Sequence, residues 1–225
     1  MCTLIAILNP NPSCRLLFLE NRDKPNNYYS GNNLRIIGKN NVISLFDFKS
    51  KGIVCGYSLK SNLFGGLTNV IGYNGTHSRG LLLKNILSNS NTLKKAVITL
   101  IEKLKNGMHS SAIYVLGDDK KIFRIENFKN EVYTIEEKDF VVATNIFRYL
   151  KRGNFLKSSY EREKFIQKYL KKEYITLKDL INIATHHNNY KSVCRHGSKK
   201  TVSSMIFSIA KKNRKSKYLY CLGNP

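Results

Sequence analysis

The order of its apolar segments is the feature that most limits the fold of this chain. Six strand-like segments come first, two helical segments follow, and then come four strands, two helices and two strands. Blocks of strands separated by pairs of helices favour antiparallel sheets in layers with helices over an alternating βαβ order. The sequence therefore predicts an α+β fold. No repeat or interdomain linker interrupts the pattern, so residues 1–225 are predicted to form a single domain.

Clusters of Gly, Asn, Pro and Lys mark the ends of the predicted elements. The predicted strands are Cys2–Leu8, Arg15–Glu20, Leu34–Ile37, Val42–Phe46, Ile53–Tyr57, Leu63–Thr68, Ala112–Leu116, Ile122–Glu126, Val132–Ile135, Phe140–Thr144, Val202–Ile209 and Tyr218–Leu222. The predicted helices are Ser78–Leu87, Thr92–Lys105, Ser159–Lys172 and Thr176–His186. The second of these has a helical apolar stripe, and the fourth begins with the capping pair Thr176 and Asp179.

The charge balance is strongly basic. Lys and Arg number 38 against 15 acidic residues, which gives a net charge of +23. Such a field attracts anions, including nucleic acid, but the lysines are spread along the whole chain. We interpret them mainly as a solvated surface.

No apolar run approaches the roughly 20 residues that span a bilayer, and no signal peptide is evident, so we expect a cytoplasmic protein. The sequence gives no prediction of oligomeric state.

The cysteine pattern argues against a disulfide framework or a structural metal site. The chain has an odd number of cysteines, widely spaced, without a CxxC pair or a zinc-type spacing. His186 and His187 are adjacent, and adjacent residues diverge by about 100° on a helix, so they would rarely share one metal. We interpret these and His196 as loop histidines, and we predict no metal and no cofactor.

The N-terminus predicts a hairpin that brings reactive residues together. The segment Asn-Pro-Asn-Pro-Ser separates the first two strands, and antiparallel pairing across it places Cys2 opposite Glu20 to Arg22. Arg22 and Asp23 then lie at the same end of the sheet as the N-terminus. Two interpretations remain open at this point, a catalytic cluster and an ordinary polar turn with an internal ion pair.

The catalytic interpretation depends on Cys2. Methionine aminopeptidases generally remove Met1 before a small residue, which would leave a thiol and a free α-amine on one residue. An α-amine has a pKa of about 7.7–8.0, so it can accept the thiol proton near neutral pH. Nucleophile and base would then belong to the same residue. Asp23 would orient the amine and Arg22 would stabilise the thiolate. Cys194, beside Arg195 and His196, is the rival nucleophile but has no such amine.

Met-Cys-Thr followed by a hairpin and Asn21-Arg22-Asp23 resembles the N-terminal-nucleophile (Ntn) hydrolases of the choloylglycine hydrolase and penicillin V acylase superfamily. The tripeptide is most similar to the NRDE-motif, transport-and-Golgi-organization-like branch. There the fourth residue is usually Glu, whereas this chain has Lys24. The resemblance implies a four-layer αββα sandwich with two antiparallel sheets, and it implies Cys2 as nucleophile with Arg22 and Asp23 as its activating pair.

Later motifs extend the resemblance. Gly66-Leu67-Thr68-Asn69 with Ser78-Arg79-Gly80 resembles the NRDE branch, and Val142-Ala143-Thr144-Asn145 resembles the strand that supplies a catalytic asparagine in bile-salt hydrolases. The run from His186 to Ser204 is similar to the acyl-coenzyme A:isopenicillin N acyltransferase-like family. The resemblance implies that Asn69 and Asn145 stabilise an oxyanion or hold the amine. A late arginine is also implied. We favour Arg195 over Arg162, which we interpret as a residue on a solvated helix face.

Two functions follow as hypotheses. The first is a cysteine amidohydrolase or acyltransferase acting on the C–N bond of a linear non-peptide amide, with an anionic small molecule favoured by the basic surface. The second is a non-catalytic protein of the same fold that binds an anionic ligand or nucleic acid. A fold supports many functions, so the site must decide between them.

Overall fold

A computed structural model describes residues 2–25, 32–152, 156–188, 191–196, 199–211 and 214–225. These residues form twelve strands and four helices. The strands are β1 (Cys2–Asn11), β2 (Cys14–Pro25), β3 (Asn32–Ile37), β4 (Val42–Asp47), β5 (Gly52–Ser58), β6 (Phe64–Asn69), β7 (Ala112–Gly117), β8 (Ile122–Phe128), β9 (Glu131–Glu137), β10 (Phe140–Ala143), β11 (Lys199–Ala210) and β12 (Lys217–Leu222). The helices are α1 (Arg79–Asn89), α2 (Leu93–Lys105), α3 (Lys157–Tyr169) and α4 (Leu177–Ala184).

The strands form two antiparallel sheets. One has the order β10-β1-β2-β11-β12, and the other runs β3-β4-β5-β6-β7-β8-β9. One apolar cluster fills the space between the sheets, with Phe18, Phe64 and Phe207 among its members. A second cluster lies between the seven-stranded sheet and α1 and α2, and a third between the five-stranded sheet and α3 and α4. The predicted α+β fold, a four-layer αββα sandwich, is confirmed.

The predicted strands and helices are all present, with shifted ends. The hairpin register is also as predicted, since Cys2 pairs with Arg22 across β1 and β2. The largest change concerns β2, which was expected to end at Glu20 but continues to Pro25. Asn21, Arg22 and Asp23 are therefore strand residues and not a turn. They stay extended because β1 and β11 pair with them on both sides. The capping pair at the start of α4 forms as expected.

The two sheets lie close together at one glycine. A Cβ atom on Gly66 of β6 would lie 2.4 Å from Leu4 Cδ1 and 2.9 Å from the Phe18 ring. The Leu4 and Phe18 side chains would have to move to admit a larger residue at this position. This close approach brings the end of β6, at Asn69, near the N-terminal end of β1.

Among the described residues, none of the helices is long and apolar enough to cross a membrane.

A buried ion pair connects the seven-stranded sheet to the segment that follows β10. Arg124 of β8 is fully buried, and its Nε donates to Glu126 Oε1 at 2.8 Å. The same guanidinium donates to the carbonyl oxygens of Val142 and Ile146. Glu126 in turn accepts hydrogen bonds from the backbone of the segment beyond Ile146, at Arg148, Tyr149 and Leu150. This network fixes the chain on either side of Asn145.

We predict that Arg124→Met lowers the free energy of unfolding by about 3–5 kcal/mol, because it leaves the Glu126 carboxylate buried without its cation. Urea unfolding measured at neutral pH checks this. The matched control is Lys121→Met, which removes an exposed ion pair with Glu136 and should change stability by less than about 1 kcal/mol. Equal losses in the two variants would contradict the assigned importance of the buried pair.

Candidate active site

The strand register places Cys2 on the face of the five-stranded sheet that points towards the other sheet. Directly paired residues in an antiparallel ladder share one face, and side chains alternate between faces along a strand. Cys2 pairs with Arg22, and Lys24 lies two residues further along β2. The three side chains therefore lie on the same face. All three line one pocket of about 330 Å³ between the ends of the sheets.

The same register brings Asn145 to the N-terminal end of β1. Strand β10 pairs with β1 through Leu4 and Ala143, so the chain just beyond β10 lies across from Cys2. Asn145 Oδ1 accepts a hydrogen bond of 2.8 Å from the Cys2 backbone nitrogen. Its Nδ2 donates to the carbonyl oxygen of Asn69, the last residue of β6. Asn145 thus connects the nucleophile candidate in one sheet with Asn69 in the other. Asn69 also lines the pocket.

A buried ion pair holds Arg22 within the pocket. Arg22 Nη2 donates to Asp47 Oδ2 at the end of β4, and both side chains are almost fully buried. The other Asp47 oxygen, Oδ1, accepts from the backbone nitrogens of Lys49 and Ser50. Burial raises the pKa of Asp47, but Arg22 and these backbone hydrogen bonds more than offset it and hold the pKa below its usual value. The carboxylate therefore stays ionised and fixes the guanidinium beside Cys2.

Arg79 enters the pocket because two glycines allow a close contact. A Cβ atom on Gly80 would lie 2.8 Å from the Ile53 carbonyl oxygen, and one on Gly52 would lie 2.5 Å from the Gly80 backbone. The start of α1 therefore packs directly on the start of β5. Arg79 donates to the Ser111 carbonyl oxygen at 2.9 Å. It forms no ion pair with any described carboxylate.

Lys24 adds a third cation to the pocket lining. Its pKa is lowered, first because burial disfavours the charged ammonium and second because Arg22 and Arg79 repel it. Arg22, Lys24 and Arg79 face a single carboxylate, Asp47, among the pocket-lining residues. The pocket is therefore positively charged around Cys2, as suits a substrate that carries an anionic group.

Asp23 lies on the opposite face of the sheet, towards the helices. Its Oδ1 accepts from the Thr201 hydroxyl at 2.8 Å, and its Oδ2 lies 3.8 Å from Arg162 Nη1. A register shift in β11 between Thr201 and Ser203 sets Thr201 directly across from Asp23. Burial raises the pKa of Asp23, although Arg162, the Thr201 hydroxyl and Arg195 oppose this. Arg22 and Asp23 therefore act from different faces of β2.

The interpretation of Arg162 as a solvated residue was wrong. Arg162 is fully buried on the inner face of α3, and its Nη1 also donates to the Thr3 hydroxyl at 2.8 Å. The sequence of α3 is rich in charged residues, and most of the others are exposed, so the sequence alone did not distinguish Arg162 from them. Arg195, the favoured alternative, is half-buried, and its charge also acts on Asp23 and Arg162. The structure thus brings both arginines near Asp23.

Glu20 is a buried acid that the sequence analysis did not single out. It lies two residues before Arg22 on the same face of β2, and neither carboxylate oxygen accepts a hydrogen bond from the described residues. Burial raises the pKa of Glu20 well above its usual value, and negative charge on Cys2 would raise it further. An apolar-strand pattern ending in Glu-Asn-Arg-Asp could have suggested it, because Glu20 and Arg22 share a strand face.

The rival nucleophile Cys194 has a different environment. It is fully buried, and burial raises the pKa of its thiol to about 11. Such a thiol is almost entirely protonated at neutral pH. Cys14 and Cys55 are also buried with raised pKa values, while Cys221 is the most exposed of the five. Cys2 is the cysteine that lines the charged pocket.

The fold and the N-terminal strand arrangement define an Ntn-hydrolase type of protein. The sequence profile described as acyl-coenzyme A:6-aminopenicillanic acid acyl-transferase matches residues 10–225, so the chain belongs to that family, within the Ntn-hydrolase superfamily. The matched stretch includes Arg22, Asp23, Asn69, Asn145 and Arg195 but not Cys2.

No curated protein sequence matches the chain significantly. Among solved structures, eukaryotic HslV from Trypanosoma brucei is similar with a TM-score of 0.42 and 11% identity, over 85% of this chain and 94% of that one.

We predict that Glu20→Gln stabilises the protein at neutral pH. A carboxyl whose pKa is raised on folding binds more protons in the folded than in the unfolded state, so wild-type stability falls as pH rises above the unfolded value of about 4.3. The variant has no carboxyl group at this position, so its stability does not fall with pH for this reason. Melting temperatures from pH 4 to 8 should show a gap between the variant and the wild type that widens with pH. A gap that stays constant would contradict the raised pKa.

Proposed function

We propose that the chain is an N-terminal-nucleophile cysteine amidohydrolase or acyltransferase that acts on the C–N bond of a linear non-peptide amide. Cys2 is the nucleophile after removal of Met1. The observation that carries this proposal is the hydrogen bond from the Cys2 nitrogen to Asn145 at the edge of a cationic pocket that Cys2 lines. Membership in an acyl-transferase family supports the same reaction class.

Once Met1 is removed, the Cys2 nitrogen is an α-amine that takes the proton from the thiol. The thiolate forms a bond to the amide carbonyl carbon, and the carbonyl electron pair moves to the oxygen. The ammonium then gives its proton to the leaving nitrogen as the C–N bond breaks, which leaves a thioester on Cys2. Water completes hydrolysis, or a second amine takes the acyl group.

The asparagines have separate roles in this mechanism. The Asn145 oxygen accepts from the Cys2 nitrogen, and one of its N–H groups is engaged by the Asn69 carbonyl, so Asn145 orients the amine. Asn69 lines the pocket, and we assign its side-chain N–H as the donor to the oxyanion, since a neutral N–H group can stabilise that charge without adding a titrating group. Arg22 stabilises the thiolate on the pocket face. Asp23 orients the amine from the other face, where Arg162 and Arg195 hold its carboxylate.

The pocket cations indicate an amide with a carboxylate or phosphate group. Lys24 and Arg79 lie in the lining together with Cys2, and Arg22 already faces Asp47. An anionic substituent near the scissile bond would be held between Lys24 and Arg79. Nucleic acid is not favoured, because a pocket of about 330 Å³ accommodates a small molecule and not a polymer.

We predict that iodoacetamide at limiting amounts labels Cys2 before Cys221 at neutral pH, although Cys221 is the more exposed thiol. A thiolate reacts faster than a thiol, and the pocket that Cys2 lines gives the reagent access to it. Intact mass and N-terminal peptide mapping measure the order of labelling and show whether Met1 has been removed. Asp23→Asn should slow the labelling of Cys2 and leave Cys221 unchanged.

Cys2→Ala should lower amidase activity by more than about 10⁴-fold.

Two results would contradict the assignment. The first is retention of Met1, which leaves Cys2 without a free amine. The second is labelling of Cys221 before Cys2 in both wild type and Asp23→Asn. Either result would favour the alternative, a non-catalytic protein that binds anions, and polyanion affinity that falls steeply with salt would then support that alternative.

We predict that Lys24→Glu lowers kcat/KM for an anionic amide by about 10- to 100-fold, because it replaces a charge-assisted contact with repulsion. The neutral analogue of the same amide should change by less than about threefold, which corresponds to well under 1 kcal/mol. Lys94→Glu makes the same charge change on the exposed surface of α2 and serves as the control. Equal losses for the two substrates would mean that Lys24 does not recognise an anion.

A further inference from the structure

Two histidines and a cysteine meet on the helix-facing side of the five-stranded sheet, on a different face from Cys2. The ligand atoms of His187, Cys194 and His196 all lie within 4.8 Å of one another. Cys194 Sγ lies 3.7 Å from His196 Nε2, and the rings of His187 and His196 are 4.6 Å apart between centroids. We propose that these three residues bind a zinc ion.

The fold of the segment after α4 creates this cluster. The His186 carbonyl oxygen accepts from the backbone nitrogens of both Val193 and Cys194, at 3.0 and 3.2 Å. The chain therefore returns on itself, and His187 is brought next to Cys194. Val193 is fully buried in the apolar cluster under α4, which anchors the returning segment. A CxH pair and a histidine seven residues earlier thus become neighbours although their spacing does not follow a familiar zinc pattern.

The donor set suits Zn²⁺. A cysteine thiolate, formed when the thiol releases its proton on metal binding, and two imidazoles are the ligands that zinc prefers, and they discriminate against the hard cations Mg²⁺ and Ca²⁺. Tetrahedral zinc with ordinary bond lengths places S and N ligand atoms about 3.3–3.6 Å apart. The Cys194–His196 separation is already close to this value, and the exposed His187 ring needs only a small shift. Three protein ligands leave a fourth position for water.

Asn224 supplies a supporting contact. Its side-chain nitrogen Nδ2 lies 2.8 Å from His196 Nδ1. Rotation of the amide by 180° would present its oxygen to the ring, so that Asn224 accepts the Nδ1–H proton and the Nε2 lone pair points at the metal. Metal-bound histidines commonly have such a partner on the second ring nitrogen. The C-terminal end of the chain thereby takes part in holding the site.

The site would also position Arg195, which lies between two of the ligands. The Arg195 backbone nitrogen donates to the Thr201 hydroxyl at 2.9 Å, and that hydroxyl donates to Asp23. A bound zinc fixes the backbone on both sides of Arg195. It therefore secures the hydrogen-bond chain that ends at Asp23, whichever reaction the opposite face of the sheet performs.

The test is zinc binding by the full chain. After incubation with zinc chloride and extensive dialysis, wild type should retain one zinc per chain, with a Kd below about 1 µM. His187→Ala, His196→Ala and Cys194→Ser should each weaken binding at least about tenfold, and Asn224→Ala should do so to a smaller extent. With cobalt as the probe, wild type should show thiolate-to-metal charge transfer that Cys194→Ser abolishes. Zinc at 100 times the Kd should raise the melting temperature by at least about 4 °C.

His186→Ala is the matched control, because it removes an imidazole that is stacked on Phe165 and lies outside the cluster. It should retain zinc as the wild type does. Both His187 and His196 are exposed, so their alanine variants should fold and remain interpretable. Failure of the wild type to retain zinc would overturn the proposal. Retention that is equal in wild type and in the three ligand variants would overturn it as well.

Discussion

The antiparallel register of β1 between β2 and β10 is the constraint on which the site depends. It sets Cys2 opposite Arg22 on one side, and on the other it brings Asn145, just beyond β10, to the Cys2 nitrogen. A slip of one residue on either side would turn Cys2 away from the pocket and exchange the apolar side chains packed between the sheets for those packed under α3 and α4. Packing of β1 on both faces therefore fixes the position of the nucleophile candidate.

Strand alternation divides the polar cluster into two halves with different surroundings. Arg22 faces the pocket and is compensated by Asp47, whereas Asp23 faces the helices and is compensated by Arg162 and the Thr201 hydroxyl. Each charge therefore has a partner on its own face, which limits the cost of burying several charges at one end of a strand. The division also lets the thiol side stay accessible while the opposite side is fully packed.

The sequence predicted the elements and the hairpin register, because apolar periodicity and turn residues specify them locally, whereas the four-layer arrangement followed from the family resemblance. It misplaced the end of β2, since the polar run from Asn21 to Lys24 normally ends a strand and continues here only because neighbours in space pair with it. Arg162 was misjudged for the same reason, because its partner Asp23 is distant along the chain. The His187, Cys194 and His196 cluster depends on a loop that returns through the His186 carbonyl, which no spacing rule describes.

The net positive charge of the surface and the positive charges in the pocket have different effects on anions. A charge of +23 spread over the surface attracts anions of every kind, but salt screens it beyond about 8 Å at physiological ionic strength. Discrimination between anions must therefore come from charges within contact distance of the ligand. Lys24 and Arg79 are placed to meet that condition for a ligand in the pocket, since they line it with Cys2 and are held there by strand alternation and by the contact between Gly52 and Gly80. Lys24 is partly buried in the lining, where salt screens its charge less than at the surface.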